Sequence, residues 1–130
     1  GYTYCPDVCP TALTGIAEAL DILADGADEI TPIFITVDPE RDTPEAMADY
    51  VSVFHPRLVG LSGSVDQMTA ATRAYRVFFA KVPEEDGGPE DYLMDHSAYT
   101  YLMDRKGKFL LHFPHGADPA RMAQDIAQHL

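Results

Sequence analysis

Two cysteines, Cys5 and Cys9, stand four residues apart near the start of the sequence, and the chain has no others. Pro10 is placed as a first helical residue, and Leu13, Ile16, Ala17, Leu20 and Leu23 recur behind it at helical spacing until Gly26 can end the helix. On the first turns of a helix a separation of four puts two side chains on one face, with Cβ atoms roughly 5 to 6 Å apart. Both thiols can then reach one object. A helix N-terminus also favours thiolate over thiol, and the thiolate is the form that binds a metal or attacks a disulfide. A structural disulfide would fit the same spacing, but closing so short a loop removes little chain entropy and makes a weak staple.

Two thiolates are soft donors, which favour copper(I), zinc or iron-sulfur clusters. Structural zinc usually takes four protein ligands and clusters mostly four cysteines, whereas this chain has two. Copper, satisfied with fewer and softer ligands, fits best, and it needs at least one donor more. Of the five histidines, His55 precedes Pro56 at a helix end and His129 lies near a terminus, positions where histidine is commonly structural. His112 lies inside an apolar strand and His115 in the loop behind it. His96 stands between an acidic loop and an apolar strand, a boundary that can both position a ligand and let it move. Position alone leaves the choice among these three open. Three of the five methionines fall at core spacing on predicted helices, and Met94, two residues from His96, is a further candidate through its thioether.

The remaining elements can be read in turn. Ile30 to Val37 is a β-branched run typical of a buried strand, and Asp38 to Asp42 follows it as a loop, where α/β proteins place their sites. Thr43 with Pro44 starts a helix carrying Met47, Tyr50, Val51 and Phe54, which stops before Pro56. Leu58 to Leu61 is a brief strand, and Ser64 with Gln67 makes a capping-box pattern for a third helix running to about Arg76. Val77 to Val82 is extended, and Pro83 to Asp91, with two glycines, two prolines and five acidic residues, is a surface loop. Ala98 to Met103 and Phe109 to Phe113 form a hairpin about Asp104-Arg105-Lys106-Gly107, and Asp118-Pro119 caps a last helix.

At 130 residues and 46% hydrophobic content, the chain suits one α/β domain over residues 1–130. Its net charge of -12 would repel phosphate backbones and anionic lipid headgroups, which argues against a nucleic-acid partner. No apolar run approaches the roughly 20 residues of a membrane helix. The element order fits a thioredoxin-like plan with an insertion, a central mixed sheet flanked by helices, provided that a first strand missing from the front completes it. The expectation is of an N-terminally truncated piece.

Gly1-Tyr2-Thr3-Tyr4-Cys5-Pro6-Asp7-Val8-Cys9-Pro10 resembles the signature of the Sco/SenC family, copper proteins that help assemble cytochrome c oxidase. Thr36 to Glu45, Leu58-Val59-Gly60-Leu61-Ser62-Gly63, Ala74-Tyr75-Arg76-Val77 and Asp95-His96-Ser97 look like that family's other blocks, in its order and with similar spacing. A CxxxC alone says little, but the blocks together are specific and cover essentially the whole chain. The resemblance implies a thioredoxin-like domain of peroxiredoxin-like type that binds one copper ion, Cu(I) or Cu(II), through Cys5, Cys9 and His96. It also implies an N-terminal membrane helix that holds the domain on the periplasmic face of the bacterial inner membrane, or in the mitochondrial intermembrane space.

On this reading the protein is a metallochaperone that delivers copper to the CuA centre of cytochrome c oxidase, with the oxidase's copper-containing subunit and other copper chaperones as partners. The alternative is a thiol-disulfide oxidoreductase that uses Cys5 and Cys9 to keep the oxidase's copper-site cysteines reduced. Thioredoxin-type reductases resemble one another in a CxxC motif and a proline before the facing strand. Here the spacing is CxxxC, and no proline occurs from Glu90 to Phe113. A peroxidase of related fold fits less well, since no arginine and threonine flank the cysteine as they do in that family.

Overall fold

In the computed structural model, which describes residues 1–130, three helices begin where their caps predict. The Thr43 hydroxyl accepts from the Ala46 amide at 3.2 Å and Pro44 opens α2, Pro44–Ser52. Ser64 and Gln67 cap each other's backbone amides at 3.1 and 2.9 Å ahead of α3, Val65–Ala74. Asp118 accepts from the Arg121 amide at 3.2 Å and starts α4, Pro119–Ala127. Each cap satisfies an amide that the first helical turn leaves without a partner.

The first helix departs from expectation at both ends. α1 spans Val8–Leu23, so Pro10 is its third residue rather than its first. That position is tolerated because the first turn's amides have no intrahelical acceptor to lose. Gly26 does not end it. Ala24 turns the chain with φ 51° and the backbone tightens into a 3-10 helix over Ala24–Glu29.

The strands make three two-stranded ladders rather than one central sheet. β1, Ile33–Ile35, pairs in parallel with β2, Val59–Leu61. Strand pairing is shorter than the expected Ile30–Val37 run, although Val59 N–H to the Pro32 carbonyl and Thr36 N–H to the Leu61 carbonyl, both 3.0 Å, extend it at either end. β3, Phe79–Pro83, pairs antiparallel with β4, Tyr92–His96, and β5, Tyr99–Met103, with β6, Phe109–Pro114. A groove of about 990 Å³ lies between β1 and β5, lined by Ile33, Ile35, Tyr99, Tyr101 and Leu102 among others. Along its upper end Gly1 runs beside β1, donating to the Ile35 carbonyl at 3.2 Å and accepting from the Val37 amide at 2.7 Å, the pattern of a parallel pair.

β4 is the element that sequence pattern misses. The acidic stretch is the connection of a β3–β4 hairpin, and His96 is the last residue of a strand instead of the end of a loop. Tyr92 and Met94 face inward while Leu93 and Asp95 face outward, so the exposed Leu93 blurs the alternation that marks a strand.

Two apolar clusters hold these pieces. One gathers Tyr2, Cys5, Cys9, Leu13, Phe34, Met47, Met94 and their neighbours, and the other packs α4 on α1 through Ala19, Phe113, Met122, Ala123 and Ile126. Met47, 0% exposed, stands at the centre of the first. Met47→Ala is expected to cost about 2 to 5 kcal/mol in denaturant unfolding, because the cavity it leaves adds to the lost transfer energy.

Candidate metal centre

The structure brings Cys5, Cys9 and His96 together: one sulfur or nitrogen from each lies within 4.8 Å of the others. Their carriers differ. Cys9 is in the first turn of α1, but Cys5 precedes the helix, in a turn closed by its own amide to the Tyr2 carbonyl at 3.3 Å. The shared helical face expected for the pair is therefore not what aligns the sulfurs. The Cys9 amide, one of the free donors of the helix start, points at the Cys5 Sγ at 3.3 Å instead.

His96 comes from the far end of the β3–β4 hairpin, with Nε2 at 3.3 Å from the Cys9 Sγ. Its Nδ1 meets the Ser97 carbonyl at 2.8 Å. A carbonyl only accepts, so Nδ1 carries the proton and Nε2 turns its lone pair toward the cysteines. Burial lowers the His96 pKa, which keeps the imidazole neutral near pH 7 and able to coordinate.

Cys5 and Cys9 are both buried and unlinked. For Cys9, burial pushes the thiol pKa up from its ordinary value. An apolar site of this kind disfavours a bare thiolate and tolerates a metal-bound one, because the cation compensates the charge. A side chain at Gly1 would not fit beside the site, since its Cβ would stand 2.6 Å from both the Cys9 Sγ and the Phe34 ring.

The residues that support the site carry no chemical signature of their own in the sequence. Tyr2, 2% exposed, accepts from the Met94 amide at 3.0 Å through its phenol oxygen, and its ring meets His96 edge-on at 5.7 Å. It therefore ties the strand of His96 to the segment of Cys5. Asp38, also buried, accepts from the Tyr92 hydroxyl at 2.7 Å and from Arg41 Nε at 2.5 Å. The Arg41 guanidinium in turn lies over the rings of Tyr92 and Tyr4, 3.7 and 4.3 Å from their centroids. The clue in sequence was the Asp38 to Asp42 loop behind a buried strand.

The other histidines are not part of this group. His55 accepts from the Arg57 amide through Nδ1 at 3.1 Å, and His112 packs edge-on against Tyr99 on the hairpin of β5 and β6. His129 is exposed beyond α4, and His115 lines a cleft of about 540 Å³ that also touches Cys9 and His96. Met94 is buried in the cysteines' cluster.

The SCO1/SenC family model matches residues 1–130, every position of the chain. The chain belongs to the SCO1/SenC family. It is 44% identical over 124 residues to a SCO2-like protein of Rickettsia conorii, covering 95% of this chain and 60% of that protein. It is 40% identical over 132 residues to the mitochondrial SCO1 homolog of Homo sapiens, covering all of this chain and 43% of that one. The chain thus spans about half the length of these relatives. Among solved structures, Bradyrhizobium japonicum ScoI with copper bound superposes with a TM-score of 0.90 at 48% identity, over 100% of this chain and 81% of that one. Yeast Sco1 with copper bound gives 0.87 at 37% identity, over 99% and 71%. The fold is thus the thioredoxin-like α/β fold of the Sco proteins. SCO1/SenC relatives occur in bacteria and in mitochondria, and no helix of this chain is long and apolar enough to cross a membrane.

Proposed function

We propose that residues 1–130 form one copper-binding domain that holds a single copper ion through Cys5, Cys9 and His96 and hands it to the CuA centre of cytochrome c oxidase. The observation that carries this reading is the convergence of two sulfurs and one lone-pair-bearing nitrogen within 4.8 Å. Two thiolates and an imidazole suit copper in both oxidation states, and two members of similar fold are solved with copper bound. Three protein donors leave copper open to an incoming thiolate, so it can pass by ligand exchange, its bonds to this protein breaking as those to the acceptor form. The full protein would carry an N-terminal membrane anchor and act on the periplasmic face of the inner membrane, or in the intermembrane space. Its partners would be the oxidase's copper-containing subunit and other copper chaperones.

The deciding experiment mixes the copper(I)-loaded protein with the metal-free copper domain of the oxidase subunit and follows metal in each after separation. Copper should leave this protein for the oxidase domain. Retention on this protein throughout, with the acceptor's cysteines reduced and competent, would overturn the delivery role.

A second prediction belongs to the same site. Oxidation should join Cys5 to Cys9 and exclude copper, because both sulfurs are then neutral and committed to each other. Thiol counting should show the converse, copper protecting both cysteines from oxidation. Equal copper uptake by the disulfide form would remove the cysteines from the ligand set.

A further inference from the structure

Cys9 is held by a helix, but Cys5 is not, so the position of its sulfur depends on whatever fixes residues 1 to 5. Two residues ahead of it, Thr3 gives both of its donors to one carboxylate. Its amide reaches Asp42 Oδ2 at 3.0 Å and its hydroxyl reaches Oδ1 at 2.5 Å. Asp42 is 0% exposed and takes a third donor, the Thr36 hydroxyl, at 2.7 Å.

The post on which Thr3 hangs is itself rigid. The Asp42 amide donates to the Asp38 carbonyl at 2.9 Å, its own carbonyl accepts from the Ser62 hydroxyl, and Thr43, the cap of α2, follows directly. A two-pronged attachment of this kind fixes the direction of the backbone as well as its place, which a single hydrogen bond does not.

We propose that Asp42 is a positioning residue for the metal site: through Thr3 it sets where the Cys5 sulfur stands relative to Cys9 and His96. The proposal rests on the copper reading above for its metal readout but not for its geometry. Groups that hold a ligand in place are typically worth about 10- to 100-fold in metal affinity.

The test compares wild type with Asp42→Ala, Asp42→Asn, Thr3→Val, the Thr3→Val/Asp42→Ala double variant, and Ile126→Ala, a destabilising control in the other apolar cluster. Copper(I) affinity is measured by competition, and the thiolate-to-copper(II) charge-transfer band is recorded. The relative alkylation rates of Cys5 and Cys9 are measured in metal-free protein. Asp42→Ala should weaken copper binding about 10- to 100-fold, shift the band and raise Cys5 alkylation relative to Cys9. Asp42→Asn should restore most of the affinity, because its amide oxygen can accept from the Thr3 amide and the Thr36 hydroxyl while its nitrogen donates to the Thr3 hydroxyl oxygen.

Thr3→Val should show a smaller loss of the same kind and decides the matter alone if Asp42→Ala does not fold. The double variant should bind no more weakly than Asp42→Ala, since both changes cut one connection. Losses that multiply, or an Ile126→Ala variant that reproduces the band shift at equal melting temperature, would reduce Asp42 to a stability element. If wild type took up no copper, the function proposed above would fail, and an unchanged alkylation ratio in Asp42→Ala or Thr3→Val would separately overturn the role of Asp42.

Discussion

Cys5→Ala and Cys9→Ala are each expected to abolish tight copper binding, because one thiolate with one imidazole cannot replace two soft sulfurs around copper(I). The expected fall in affinity is on the order of 100-fold or more, beyond the range for residues that only support a ligand. The two substitutions should be equivalent in this respect although their settings differ, one in a turn and one in the first turn of α1. Each removes a donor from a set whose atoms lie within 4.8 Å. Competition with a chromophoric copper(I) chelator measures the effect, and circular dichroism checks that the variants remain folded. Full-strength binding in either one would sink the assignment of the pair.

His96→Ala separates metal binding from dithiol chemistry. A metal site needs this imidazole, and simple exchange between Cys5 and Cys9 and a partner disulfide does not. The variant should lose affinity for copper(II), which prefers a harder nitrogen donor, far more than for copper(I), which two thiolates partly satisfy. The reduction potential of the dithiol should move much less. The geometry sharpens the prediction, for Nε2 faces Cys9 at 3.3 Å while Nδ1 is committed to the Ser97 carbonyl at 2.8 Å, so no second nitrogen can take its place.

The setting of the cysteines weighs against the oxidoreductase reading. Both are buried, and the thiol of Cys9 is pushed up by that burial, which lowers the thiolate fraction on which exchange with a partner disulfide depends. A His96→Ala variant that kept copper(II) affinity but lost disulfide-reducing activity would reverse the ranking and make this protein an oxidoreductase first.

Local rules carried the parts of the fold that are decided locally. The starts of α2, α3 and α4 follow from side chains that bond amides three residues away, so Thr43, Ser64 and Asp118 could be read without any tertiary information. The β5–β6 hairpin is legible for the same reason, with Gly107 at φ 78° in its turn. The family blocks and the pair Cys5 and Cys9 were likewise visible as residue types at fixed spacing.

What depends on partners distant in sequence was not visible. β4 exists because Tyr92 and Met94 find the cysteines' cluster and its backbone finds β3, while Leu93 left outside hides the pattern. Among His96, His112 and His115 the residues offered only the place of His96 at an element boundary, which does not decide the choice. Only the hairpin register, with His96 opposite Phe79, carries that one imidazole across 87 residues to Cys9. The same holds for Asp42: nothing in the sequence sets it apart from the other charged residues of its loop, yet the fold buries it against Thr3 and Thr36. Residue types and local capping settle which donors the protein has and where α2, α3 and α4 begin. The tertiary structure alone decided which donors meet and that Cys9 lies in an apolar setting, because proximity and burial belong to the packed chain and not to any segment of it.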